Sequence, residues 1–158
     1  MAAFFLAAAV VTGYFSNQPA HRNFPADKAQ IKLSFSHGAE RVEECRRLSS
    51  EEIAELPASE RRPNTCARER VPLRVQMRMD GEVLYDEEIE PSGLSADGPA
   101  QVYREFTVPT GNHSLELRLR DSRGQTGFDY NSTFEVQLSP RRNLAIDFRD
   151  DAGGFILR

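Results

Sequence analysis

Apolar and polar residues alternate along most of the chain, and the alternation opens in QIKLSFS, with Ile31, Leu33 and Phe35 on one side and Lys32 and Ser34 on the other. A period of two marks a half-buried strand. The pattern returns in VPLRVQMRM, where Leu73, Val75, Met77 and Met79 are set against Arg74, Gln76 and Arg78. Asp80-Gly81 then supplies the dipeptide that a two-residue type I′ hairpin favours, since both central residues need positive φ. GEVLYDEEI reads as the returning strand, and the acidic DEEIE as a charged strand end that discourages edge-to-edge pairing. EPSGLSADGPAQ is rich in turn formers and predicts a loop. VYREFTVPTGNHSLELRLRD gives one strand through Phe106 and Val108, a Pro-Thr-Gly-Asn turn, and a second strand with Leu115, Leu117 and Leu119 inward. GFDYNSTFEVQLS adds a strand with Phe128, Tyr130, Phe134, Val136 and Leu138 on its apolar side, and RRNLAIDFRD contributes Leu144, Ile146 and Phe148. The terminal GGFILR carries Phe155, Ile156 and Leu157, which either complete a sheet or reach a partner. An exposed apolar tail is a liability, which favours the sheet. Seven or eight short strands joined by turn signals predict an all-β fold over residues 30–158, an antiparallel immunoglobulin-like β-sandwich.

Residues 42–70 break the alternation and hold both cysteines, Cys45 and Cys66. Within this insert LSSEEIAELP has the marks of a short helix: Ser49 can cap, Glu52 stands three residues later as a capping box requires, and Pro57 ends the run. Ile53 and Leu56 are three apart, so both can face the sandwich. A two-turn helix is marginal alone. A disulfide at its base would hold it, contributing about 3 kcal/mol on the chain-entropy model. Zinc needs close pairs of ligands and thioredoxin chemistry needs Cys-x-x-Cys, and the sequence has neither. A disulfide in turn places the domain in an oxidising compartment.

The other departure is the start. MAAFFLAAAVVTGYF is continuously apolar and gives way at once to the polar SNQPAHRNFPADK. The leading reading is a membrane-anchor helix over residues 1–15, with Phe4, Phe5, Leu6, Val10, Val11, Tyr14 and Phe15 in the bilayer and a linker over 16–29. A cleaved signal peptide and a buried core helix are the competitors. At about 1.5 Å per residue the run reaches roughly 22 Å, short of the ~30 Å hydrocarbon core. A start upstream of Met1, or mismatch with Tyr14 and Phe15 at the interface, would reconcile the lengths. Orientation is in conflict: Arg22, Lys28 and Lys32 follow the run and would hold the domain in the cytoplasm, whereas the cysteines favour the outside. The cysteines are given precedence.

Size and charge change this picture little. The 158 residues fit one domain, and a net charge of −4 with interspersed cations argues against nucleic acid as a partner. His21, His37 and His113 fall in no hydrolase or metal motif, and the nucleotide-binding glycine patterns are missing. Met77 and Met79 share the parity of Leu73 and Val75 and read as core residues, not copper ligands. DFRDDAGG lacks the ligand pattern of a calcium loop. No catalytic residue, metal or cofactor is expected. Asn112-His-Ser and Asn131-Ser-Thr match the glycosylation pattern, which carries weight only in a glycosylating host.

The surface candidates are then the arginines on the polar sides of two strands. Arg74, Arg78, Arg118 and Arg120, with Glu116, form either a solvated face of cross-strand charge pairs or a docking surface. With Ile53, Leu56, Phe155, Ile156 and Leu157 they are the candidate partner contacts. The expected function is an accessory or assembly subunit of a larger inner-membrane complex, of respiratory or other electron-transfer type, with its folded domain in the periplasm or another extracytoplasmic space. Its expected partners are other membrane subunits and, through the first helix, the bilayer. The alternatives are a ligand- or carbohydrate-binding module using Tyr85, Tyr103, Phe128 and Tyr130, and an enzyme in which His37 or His113 meets a carboxylate in a cleft.

Overall fold

The computed structural model describes residues 2–17, 25–124 and 126–158; His21 and half of the expected linker lie outside them. Two four-stranded sheets face each other across one apolar core. The first is built from β1 (Lys28–His37), β6 (Ala100–Pro109), β9 (Asn143–Arg149) and β10 (Gly154–Leu157), in the order β10-β9-β1-β6. The second contains β4 (Leu73–Met79), β5 (Glu82–Ile89), β7 (Gly111–Arg120) and β8 (Tyr130–Leu138), in the order β5-β4-β7-β8. Pairing is antiparallel except between β1 and β9, which run parallel. Alternation alone does not distinguish the two directions, because the period of side chains is the same in both.

The core is the set of apolar residues on one parity of each strand. Ile31, Leu33 and Phe35 of β1 meet Leu73, Val75 and Met77 of β4 and Leu115, Leu117 and Leu119 of β7 in one buried cluster. Phe148 joins Phe35 and Phe155 at centroid distances of 5.6 and 5.1 Å. The tail therefore completes the first sheet: Phe155 is buried, and Ile156 and Leu157 are half-buried in β10. Met77 is fully buried, as its parity with Leu73 implies.

At the β4–β5 hairpin Asp80 and Gly81 have φ of 52° and 86°, the doubly positive turn that the dipeptide predicts. Asp80 also ties the hairpin to β7, its carboxylate accepting from the Ser114 N–H at 2.9 Å and pairing with His113 Nδ1 at 2.7 Å.

One parity expectation fails at Phe128. Its ring lies on the outer face of the second sheet instead of the apolar side of β8, with the guanidinium carbons of Arg74 and Arg118 at 5.4 and 5.8 Å. The reason is local: Asp129 donates its N–H to the Leu119 carbonyl while Tyr130 is the register partner of Leu119. Two residues oppose one, and such a bulge reverses the facing of whatever precedes it.

The insert and the first helix stand outside the core. Short β2 (Arg46–Arg47) and β3 (Asn64–Thr65) pair antiparallel, and α2 (Ser50–Glu55) lies between them. The Cys45–Cys66 disulfide closes the loop at its base. Helix α1 (Ala2–Asn17) spans about 24 Å at 1.5 Å per residue. Among the described residues, no helix is long and apolar enough to cross a membrane.

Candidate functional site

The outer face of the second sheet is where sequence reasoning placed its arginines, and the strands bring them together as a ladder of pairs. Arg74 donates from Nε and Nη2 to the two oxygens of Asp86 at 3.1 and 3.2 Å, and Gln76 donates to the same carboxylate at 2.7 Å. Next along the ladder, Glu116 accepts from Arg78 at 3.4 Å and from Arg118 Nε at 3.1 Å. Arg120, largely buried, pairs with Glu88 at 2.8 Å. Register explains this: Arg74 faces Arg120 and Gln76 faces Arg118 on β7, while Glu88 and Asp86 face Arg74 and Gln76 on β5. The cations of β4 and β7 thus lie side by side, with the acids of β5 along one flank and Glu116 opposite Arg78, and Phe128 lies against two of the guanidinium groups. The ladder is a network of charge pairs over a sheet face, in which the buried Arg78 Nε has no hydrogen-bond partner among the described residues.

Asp86 shows the electrostatic consequence. The hydrogen bond from Arg74 holds its carboxyl below the ordinary carboxylate range, assisted by Gln76 and opposed by partial burial. A carboxyl whose folded pKa is depressed adds stability above its unfolded pKa, and that stability is lost as pH falls through the folded value. Asp86→Asn is therefore expected to destabilise the fold by less than about 1 kcal/mol at neutral pH. The difference should shrink on moving from neutral pH into acid, as the wild-type carboxyl takes up its proton. Denaturant titrations at the two pH values measure this, and a difference that persists in acid would contradict the ion-pair account.

In the insert, the capping box forms as the sequence predicts: Ser49 Oγ accepts from the Glu52 N–H at 3.2 Å, and Glu52 accepts from the Ser49 N–H at 2.8 Å. Glu52 also pairs with Arg46 at 2.8 Å. Its carboxyl is held low by the Ser49 N–H first and Arg46 second. Ile53 and Leu56 do not reach the sandwich core; no residue of α2 is buried. Instead Leu56 joins Leu48, Thr65, Arg46 and Arg62 around an open groove of about 460 Å³. The insert is joined to the sandwich through residues 38–49 and 56–72. Arg123 reaches its stem, pairing with Glu40 at 3.3 Å and Glu44 at 2.8 Å. No local signal along the chain points to these contacts, because the partners are remote in sequence.

No family model matches this chain, and no curated protein is significantly similar to it.

His37 and His113, which the sequence offers as histidines that could meet a carboxylate it does not name, each pair with an aspartate. His37 Nε2 and Asp121 lie 2.7 Å apart, with the imidazole edge-on to Phe148. His113 pairs with Asp80, and its buried Nε2 has no hydrogen-bond partner among the described residues. Neither pair lines the insert groove or the grooves beside Arg120 and Val136. They join elements distant in sequence, and each histidine meets its carboxylate outside those grooves.

The aromatic candidates for a sugar platform do not share a surface. Tyr85 is buried against Phe106, and Tyr130 is edge-on to Phe148 at 4.9 Å. Tyr103 is exposed on β6, donating to Glu105 at 2.6 Å. Phe128 lies in the arginine ladder of the other sheet. A stacking site needs adjacent rings on one accessible face, and these four do not provide one.

The first helix contrasts with all of this. Phe4, Phe5, Leu6, Val10, Val11, Tyr14 and Phe15 are each more than half exposed, between 54% and 74%. The core is complete without them.

Proposed function

We propose that this protein is a non-catalytic, membrane-anchored domain that works outside the cytoplasm as an accessory or assembly subunit of a larger inner-membrane complex. The carrying observation is α1: sixteen residues without a charge, their apolar side chains left uncovered by a sandwich that already has a full core. Uncovered apolar surface of that kind calls for lipid or a partner. The helix is short for a full bilayer; tilt-free insertion with local thinning and Tyr14 and Phe15 at the interface is the compatible arrangement. The disulfide supports the extracytoplasmic side. The immunoglobulin-like type is part of the same proposal, supported by two four-stranded sheets between which the chain crosses repeatedly. Tethering beside a complex raises the effective concentration of weak contact surfaces, for which the insert and its groove are the candidates.

The test is purification from native membranes in a mild detergent, with mass spectrometry of whatever co-elutes on a sizing column. Stoichiometric co-elution with other membrane subunits is the expected result. A protein that leaves the membrane in high salt, or elutes with no companion subunit, would overturn the proposal.

A further inference from the structure

Every open sheet must manage its edges, because an edge strand presents unpaired N–H and C=O groups to any other strand. Three of the four edges here are guarded. β5 carries Glu82, Asp86, Glu87 and Glu88 and has an irregularity opposite Met77 and Arg78. β6 ends in Pro109, and its Arg104, on the inward parity of Val102 and Phe106, crosses to Glu87 at 2.9 Å. β10 has only four residues. The fourth edge, β8, has nine residues, YNSTFEVQL, with no Lys, Arg or Pro and the single charge of Glu135. Among the described residues it pairs on one side only, with β7, in unbroken register.

The backbone polarity of β8 can be read from its neighbours. The Asp80 N–H donates to the Ser114 carbonyl at 2.9 Å, so the even-numbered residues of β7 turn their backbone groups towards β4. The odd ones, Leu115, Leu117 and Leu119, turn theirs to Phe134, Ser132 and Tyr130 of β8. Asn131, Thr133, Glu135 and Gln137 consequently aim their N–H and C=O groups at the open edge. Their side chains are all exposed, and Phe134 between them is half-covered.

We propose that β8 pairs with β8 of a second copy of this chain, antiparallel, across a two-fold axis at Phe134, to make one continuous eight-stranded sheet. The strand is self-complementary about that point. Antiparallel overlap of Tyr130–Leu138 on itself sets Thr133 against Glu135 and Asn131 against Gln137 in the hydrogen-bonded positions. Each of those four residues offers one N–H and one C=O, giving about eight inter-chain hydrogen bonds. Phe134 meets its own copy in the closer, non-hydrogen-bonded position, and Val136 meets Ser132. Moving the axis to Glu135 would set two carboxylates opposite each other, which like-charge repulsion disfavours. Moving it to Thr133 leaves Gln137 and Leu138 without partners. The isologous arrangement closes on itself and stops at two chains. It does not depend on the membrane reading above.

The full chain in detergent, measured by light scattering coupled to sizing, should have the protein mass of a dimer. Thr133→Pro removes an edge-facing N–H and Thr133→Lys adds an edge charge. Both substitutions leave the β7 ladder intact, so each should weaken association at least about tenfold with little change in Tm. Phe134→Cys should cross-link to itself on oxidation, since opposed non-hydrogen-bonded positions lie about 4.5 Å apart at Cα. Thr133→Cys, whose partner is Glu135, should not. The proposal is overturned by a monomeric wild type, by a dimer that both Thr133 variants leave intact, or by cross-linking equally efficient at the two cysteine positions. It is equally overturned if β8 is found paired to a strand of a different protein.

Discussion

Replacing Leu117 by alanine is expected to cost about 3 kcal/mol of folding free energy, within the range of about 2–5 kcal/mol for truncating a buried leucine. Leu117 is fully buried on β7, which is an interior strand, paired with Met77 on β4 and Ser132 on β8. Ladders on both sides fix the backbone, so the cavity left by the side chain has little freedom to collapse. In a domain of this size the loss should lower Tm by roughly 10 °C. Val83→Ala is the matched control: Val83 is 55% exposed on edge strand β5 and removes little from water. Thermal and denaturant unfolding of the two variants measure the contrast. Similar values for both would mean that the inner and outer faces of the second sheet have been assigned the wrong way round.

Replacing both Cys45 and Cys66 by serine is expected to remove about 3 kcal/mol, the chain-entropy value for closing a loop of this length. Where that loss appears is the more informative result. The insert has no buried helix residue, two strands of two residues each, and a helix of six residues. A helix that short has no stability to spare once its ends are released. Of the other ties, Arg41 Nη1 to the Ala67 carbonyl and Arg123 to Glu40 and Glu44 hold the stem, while those on the helix, Glu52 with Arg46 and the Leu56 carbonyl with Arg61, are solvent-exposed and come from within the insert. The insert should therefore open as a local unit while the sheets stay folded. Hydrogen exchange should show the amides of Glu52, Ile53 and Leu56 losing protection, with those of β4 and β7 unchanged, and proteases should cut between residues 50 and 63. Equal loss of protection in β4 and β7 would show instead that the insert and the core fold as one.

Leu117 and the insert helix are both legible from residues close together in the chain. Strict alternation in β4 and β7 identified Leu117 as core because the side-chain period of a strand is a local property. The capping box of α2 was legible for the same reason: Ser49 and Glu52 are three residues apart and need no other part of the chain. The orientation of α2 was not legible. Ile53 and Leu56 share a face, but a face says nothing about whether a neighbour lies beneath it, and neither residue enters the core. Phe128 failed differently, since one extra residue opposite Leu119 reversed the alternation without altering composition.

By itself, then, the sequence determined the strand parities, the type I′ turn at Asp80-Gly81, the helix cap, the only available cysteine pair and the uncharged first helix. Each depends on residues close in the chain, or on there being a single choice. Tertiary structure decided the parallel docking of β9 on β1, the Arg74–Asp86 and Arg78–Glu116 pairs, the meeting of His37 with Asp121, and which strand is left at an unguarded edge. Those outcomes are set by long-range register, and register is a compromise among the hydrophobic faces and backbone ladders of whole strands. No local pattern encodes it.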